Sequence, residues 1–199
     1  MAYRRTEQVE ARLSASRERI LGAALRLVAE QGYAACSIAA VARQAGVATG
    51  SVYQHFPNKA ALVAEVFRTA SQREVDAFTR AAELESGVLD KITAAVESFG
   101  HRALRAPRMA FALIAEPVDP AVDSERLIFR RAYADVLSVL IADGLATGEL
   151  PPQEPELTAA ALVGALAEVL VGPLAAGSAD GRTVAAMLTF TRRALGAAP

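Results

Sequence analysis

The sequence predicts an all-α chain, in which an N-terminal module of three helices is joined through a long fourth helix to a larger helical body. Three observations carry this. Apolar residues recur at helical spacing from end to end, and no run alternates β-branched residues as a strand would. Proline or glycine then punctuates the pattern at Gly32, Gly46, Pro57, Gly87, Pro107, Pro117, Gly148, Pro173 and Gly177. With 53% hydrophobic residues over 199 positions, the chain can bury a substantial core.

The first helix is expected from Ser14 or Ser16 to about Gln31, with Ile20, Ala24, Leu27 and Val28 on one buried face and Gly32 as its stop. Ser37 is a suitable N-cap for a second, short helix lined by Ile38, Val41, Ala42 and Ala45. Gly46 permits an immediate left-handed turn, Val47 plugs the angle, and a third helix starting at Ala48 or Thr49 turns Val52 and Phe56 inward. Pro57 ends it. Asn58 caps the long fourth helix, whose stripe is Leu62, Val63, Val66, Phe67 and Ala70 and which reaches the low eighties. Further helices are expected at roughly 89–105, 107–116, 120–147, 156–174 and 179–195.

The segment from Leu157 to Gly177 is almost wholly apolar, yet Glu168 lies in its middle and Pro173 is expected to break it before a membrane-spanning length of about 20 residues is complete. A packed or interface helix is therefore expected, and no membrane partner. The polar N-terminus lacks the apolar core of an export signal, and a lone Cys36 gives no disulfide framework. Both point to the cytoplasm.

The net charge of −1 conceals an asymmetry: up to Lys59 there are eight bases and four acids, and beyond it 13 bases and 18 acids. A basic end on an acidic body suits a protein of which only one end meets phosphate. Helix, glycine turn and helix within about twenty residues is the spacing of a helix-turn-helix. Its outward set is Thr49, Gly50, Ser51, Tyr53, Gln54 and His55. Phosphate contacts give affinity and register, and Ser37, Thr49, Tyr53 and Lys59 are placed to make them. Gln54 can bond adenine bidentately, Thr49 can touch a thymine methyl, and Gly50 allows close approach. Tyr53 and His55 have a second reading, packing against the fourth helix. Arg4, Arg5, Arg12 and Arg17 are either a solvated charge run or an arm that reaches DNA.

The stretch RERILGAALRLVAEQGY followed by SIAAVARQAGVATGSVYQHFPNKAALVAEVF resembles the TetR family of bacterial regulators over roughly the first 70 residues. Gly46, Gly50, Tyr53, His55, Phe56 and Lys59 at these spacings carry the likeness. The resemblance implies a helix-turn-helix DNA-binding domain at 1–58, and a ligand-binding and dimerisation domain at 59–199. It also implies a homodimer on a palindromic operator in double-stranded DNA, a repressor released by a small-molecule effector. In that family, residues matching Ser37, Thr49, Tyr53, His55 and Lys59 commonly contact phosphate.

Within the body, Met109, Leu113 and Glu116 share a face with Ala112, and Arg130 follows the stripe of Leu127, Ala134, Leu137 and Ile141 with Tyr133 nearby. Glu116 and Arg130 either pair with each other or hold a polar ligand between apolar walls. His101 lies opposite the stripe of its own helix, facing solvent or a pocket. The last two helices offer Leu157, Gly164, Glu168, Met187, Leu188 and Thr191 as candidates for a four-helix dimer interface. No cofactor or metal motif is present, and with only two histidines the chain is poor in general bases, so an enzyme is not expected. A helical protein-interaction adaptor is the alternative that the charge asymmetry disfavours.

Overall fold

The computed structural model describes residues 7–196, and the described residues form nine α-helices and no strand. In chain order these are α1 (Glu7–Gln31), α2 (Ile38–Ala45), α3 (Thr49–His55), α4 (Lys59–Glu83), α5 (Val88–Arg105), α6 (Pro107–Ile114), α7 (Pro120–Thr147), α8 (Pro155–Ala176) and α9 (Gly181–Ala194), with one turn of 3-10 helix at Tyr33–Ala35 after α1. Local chemistry sets most of the boundaries. Ser37 Oγ accepts the Ala40 N–H at 3.2 Å and Asn58 Oδ1 the Ala61 N–H at 2.8 Å, which caps α2 and α4. Asp180 and Thr183 form a reciprocal capping box at the start of α9. Gly46 takes φ 64° and ψ 40°, and the Val47 N–H returns to the Ala42 carbonyl at 3.0 Å, so α2 is closed off and α3 sets out at once.

Two helices depart from expectation. α1 begins at Glu7 rather than near Ser14, because the Ser14 hydroxyl bonds Glu18 Oε1 one turn ahead, at 3.2 Å, within a helix already under way. Arg12 therefore lies on α1 and not on a free arm; Arg4 and Arg5 lie outside the described residues. α8 does not break at Pro173 but runs through it to Ala176, 22 residues in all. The missing N–H falls near the C-terminal end, where it frees only the Val169 carbonyl on the exposed side of the helix. α8 thus reaches membrane-spanning length, but it buries Ala159, Leu162, Leu166, Leu170 and Leu174 at three- and four-residue spacing against α6, α7 and α9, as a core helix does.

Two cores divide the chain. The first gathers Ile20, Leu27, Val41, Val52 and Phe56 from α1 to α3. It continues past residue 58 into Leu62, Val66 and Phe67 of α4, and draws in Ala112 of α6 and Val122 of α7. The second gathers Phe78, Ile92, Val96, Leu137, Ile141, Leu162 and Leu170 around the far half of α4. α4 is therefore common to both. Beside it runs a ladder of charges, Arg17 to Glu65 at 2.8 Å, Glu65 to Arg68, and Arg68 to Glu125 at 2.7 Å, from α1 across α4 to α7.

Candidate DNA-reading face and effector cleft

Val52 and Phe56, at 0% and 3% exposure, anchor α3 in the first core. With those two positions inward, Thr49, Gly50, Tyr53 and Gln54 are exposed, and Ser51, His55 and Lys59 are half-buried at the edge of the same face. Tyr53 keeps 52% of its surface open, so its ring is not packed away against α4. Exposed Ser37, at the start of α2, accepts from Ala40 and keeps its own hydroxyl proton to donate. Lys59, the first residue of α4, holds its ammonium 4.7 Å from the centre of the Tyr33 ring, a cation–π contact that steers it beside α3.

Tyr33 is also the point where the body grips this module. Its backbone N–H donates to Glu116 Oε2 at 2.9 Å, and its hydroxyl bonds Asp119 Oδ2. Burial and then that bond push the phenol up to about 12, so it stays a donor at neutral pH. Gly32 before it has φ 83°, and a Cβ there would lie 3.0 Å from Glu116 Oε1, so glycine serves both the backbone angle and the approach of the carboxylate. The α6–α7 connection that carries Glu116 is itself gathered by Arg126 of α7. That guanidinium donates to the carbonyls of Leu113 (3.0 Å), Glu116 (2.8 Å) and Ala112 (3.2 Å) and to Asp123 Oδ1 (2.6 Å). The Ala112 and Leu113 carbonyls are orphans at the C-terminal end of α6, which the arginine satisfies in place of water.

Arg126 also lines a cleft between α4, α5, α6, α7 and α8, whose empty space, open mouth included, is about 880 Å³. Most of the wall is apolar, with Phe67, Phe78, Phe99, Leu113 and Leu166 prominent. Tyr133 stands edge-on to Phe78 and Phe99, with ring centroids 5.2 and 5.7 Å away, and burial raises its phenol well above the ordinary value. The polar lining comes from Ser71, Glu74, Arg102, Arg126, Arg130 and Tyr133. Glu74 and Arg102 face each other in a two-pronged pair at 2.6 and 2.7 Å.

Residues 20–66 match the family model "Bacterial regulatory proteins, tetR family". That segment is a TetR-family DNA-binding module. The chain is 29% identical over 141 residues to the HTH-type transcriptional repressor KstR2 of Rhodococcus jostii (strain RHA1), covering 66% of this chain and 68% of that protein. It is 25% identical over 139 residues to the fatty acid metabolism regulator protein of Bacillus subtilis (strain 168), covering 66% and 69%. Its fold matches the structure of the transcriptional regulator FadR from Bacillus subtilis in complex with stearoyl-CoA, with a TM-score of 0.77 at 17% identity over 92% of this chain and 99% of that one. The chain is a DNA-binding transcriptional regulator.

Set on this frame, the residues singled out by sequence fall into two groups. The structure gathers Ser37, Thr49, Gly50, Ser51, Tyr53, Gln54, His55 and Lys59 around α2, α3 and the start of α4, and it brings Met109, Leu113, Arg130 and Tyr133 to the cleft. Two expected cleft residues are elsewhere. His101 is on the solvent side of α5, 3.6 Å from Glu97 and 46% exposed, while its neighbour Arg102 faces the cavity. Glu116 does not line the cleft or meet Arg130, because α6 ends at Ile114 and the helical spacing that pointed it inward stops two residues short. Leu127, expected inward on α7, is 66% exposed; Val122, Arg126 and Phe129 turn inward at that end of the helix, while Leu137 and Ile141 of the expected stripe are fully buried. Of the interface candidates, Leu157, Gly164 and Glu168 are exposed on α8. Met187 and Thr191 instead sit in their own protomer's core at 2% and 0% exposure, with the Thr191 hydroxyl bonded to the Met187 carbonyl at 2.8 Å, and Leu188 is half-buried. Arg17, a candidate arm residue, spends its charge on Glu65 and on the Phe56 ring, 5.1 Å away. Cys36 is fully buried, which lifts its thiol to about 11 and keeps it protonated.

Sequence reasoning missed Tyr33, Glu74, Arg102 and Arg126. The signal that was available for Arg126 is its place four residues ahead of Arg130 on α7. Glu74 and Arg102 pair across 28 positions, and neither lies on a motif that would have joined them.

Proposed function

We propose that this regulator is a repressor that binds a palindromic operator as a homodimer and is released by a small-molecule effector held in the cleft. It works in the cytoplasm, without a catalytic step. The observation that carries the reading is the strut from the cleft to the DNA-reading face. Arg126 lines the cleft and fixes the α6 end and the Glu116 loop, Glu116 and Asp119 hold Tyr33, and Tyr33 seats Lys59. An effector that prefers one arrangement of the cleft wall over another shifts the posture of the reading head by its differential affinity for the two.

On this reading Ser37, Tyr53, His55 and Lys59 hold phosphates, Thr49, Gly50 and Gln54 read bases, and Ser51 completes the face. Lys59→Ala is expected to weaken binding to all sequences alike and to lower the salt slope of log affinity by about one unit. Gln54→Ala is expected to relax preference at one base pair, at a cost of about 1–3 kcal/mol on the preferred sequence. A mobility-shift titration on the protein's own upstream region, run at several salt concentrations with a selected-sequence arm, reads both. Absence of any preferred palindrome would overturn the proposal.

The second copy is placed against α8 and α9. Leu157, Ala161, Gly164 and Val169 of α8 and Phe190 of α9 are exposed apolar or small positions on adjoining helices, with Leu157 71% open and Phe190 45%. A Cβ added at Gly164 would meet nothing within 4 Å of its own protomer, so Gly164→Arg leaves the fold intact. Its expected effect is a shift from dimer to monomer in sedimentation velocity, with loss of palindrome binding. A dimer that persists at low micromolar concentration would place the interface elsewhere.

A further inference from the structure

We propose that the effector is an amphipathic anion: an apolar tail lies among Phe78, Phe99 and Leu166, and a carboxylate or phosphate head is held by Arg130 at the α7 side of the cleft. This rests on the effector reading of the cleft given above and adds the chemistry of what enters it.

The charge of the lining decides the sign. Three arginines line the cleft, Arg102, Arg126 and Arg130, against one glutamate, Glu74. Glu74 is already engaged by Arg102 through both oxygens, at 2.6 and 2.7 Å, so that pair is neutral and closed. Arg126 is occupied by three backbone carbonyls and Asp123. Arg130, one helical turn further along α7, is exposed at the mouth of the cleft and forms no hydrogen bond or ion pair among the described residues. Its charge also lies close enough to Arg126 to oppose it: burial first, and Arg130 with it, depress the Arg126 guanidinium, against the pull of Asp123 and Glu116. A guanidinium at the mouth of an apolar cleft, beside a second positive charge and with no partner of its own, is free to make charge-assisted hydrogen bonds to an incoming anion and repels a cation. A cationic ligand would find no free carboxylate in the wall, since the single one present is taken.

The rest of the wall asks for an extended apolar body. The phenyl rings of Phe78 and Phe99 are braced by Tyr133, so the apolar surface is pre-formed, and α8 contributes only Val163, Leu166 and Ala167 to the lining. The head site is also adjacent to the strut. An anion drawn to Arg130 relieves the repulsion on Arg126, the residue that gathers the Glu116 loop, so the ligand's charge acts on the link to the reading head directly.

The test is calorimetric titration of the full-length protein with four probes of equal chain length below their micellar concentrations: dodecanoate, dodecanoyl-CoA, dodecanol and dodecyltrimethylammonium. One or both anions are expected to bind at least about tenfold more tightly than the alcohol, and the cation to bind worse than the alcohol. The two anions distinguish a carboxylate head from a phosphate-bearing one, and either result supports the proposal. Arg130→Gln is expected to bring the preferred anion down to the alcohol's affinity while the alcohol itself is unchanged. Equal binding of alcohol and anions, tighter binding of the cation, no binding of any probe, or an equal loss for all probes in Arg130→Gln would overturn it. The same probes added to a mobility shift separate the two ideas. An anion that binds through Arg130 but leaves operator DNA bound contradicts effector release and leaves the ligand chemistry standing, whereas release by the alcohol alone does the reverse.

Discussion

Glu116→Ala is expected to yield a protein that still binds its operator but no longer responds to an occupied cleft. Glu116 accepts the Tyr33 N–H at 2.9 Å, and its loop is the part of the body that Arg126 holds rigidly against the cleft. Removing a charged acceptor from a part-buried N–H costs about 1–3 kcal/mol. Coupling between two sites in regulators is of similar size, about 1–3 kcal/mol, or some 5- to 150-fold in affinity. The loss of this one bond is therefore large enough to remove most of the communication. The measurement is the ratio of operator affinities without and with saturating dodecanoate or dodecanoyl-CoA, which should collapse towards one in Glu116→Ala. Glu116→Gln keeps an acceptor and should retain part of the ratio. If the alanine variant keeps the full ratio, communication runs along α4 and its charge ladder instead.

Phe56→Ala is expected to abolish operator binding while leaving the cleft competent. Phe56 closes α3, is 3% exposed, packs into the first core, and carries the Arg17 guanidinium over its face at 5.1 Å. Truncating a buried phenylalanine costs about 3–5 kcal/mol, a large share of what a module of this size has in hand. The second core contains none of its neighbours from α1, α2 or α3, so the body should hold its fold. Mobility shift and calorimetry on the same preparation check the two halves of the statement. Loss of ligand binding together with DNA binding would show the cores to be a single cooperative unit.

How far the sequence was readable depended on the range of the physics involved. Caps and stops act within four residues, so Ser37, Gly46, Asn58 and Gly148 marked their boundaries correctly. Pro173 misled because the cost of a proline depends on how much helix follows it, and only three residues do. The reading face was legible because two short helices bury one side each and leave the other by default. The cleft was legible only in part, at Met109, Leu113, Arg130 and Tyr133, because its wall comes from five helices and its chemistry lies in pairs far apart in sequence. A shift of one residue on α7 exchanged Leu127 for Arg126, and the end of α6 at Ile114 turned Glu116 from the cavity to Tyr33. Met187 and Thr191 were placed in the interface although Val184, Met187 and Thr191 recur at three- and four-residue spacing, the pattern of a helix's own buried face.

The polar joint between head and body is small, set beside the apolar contacts of α1 with α4 and α6. On one side it consists of Gly32, Tyr33 and Lys59, and on the other of Glu116, Asp119 and Arg126, none of them among the positions proposed to read bases or to grip the ligand head. Operator preference and effector preference can then drift independently over generations, since neither alters the joint. A chimaera that keeps these six residues and exchanges everything on one side of them should inherit its promoter from one parent and its signal from the other.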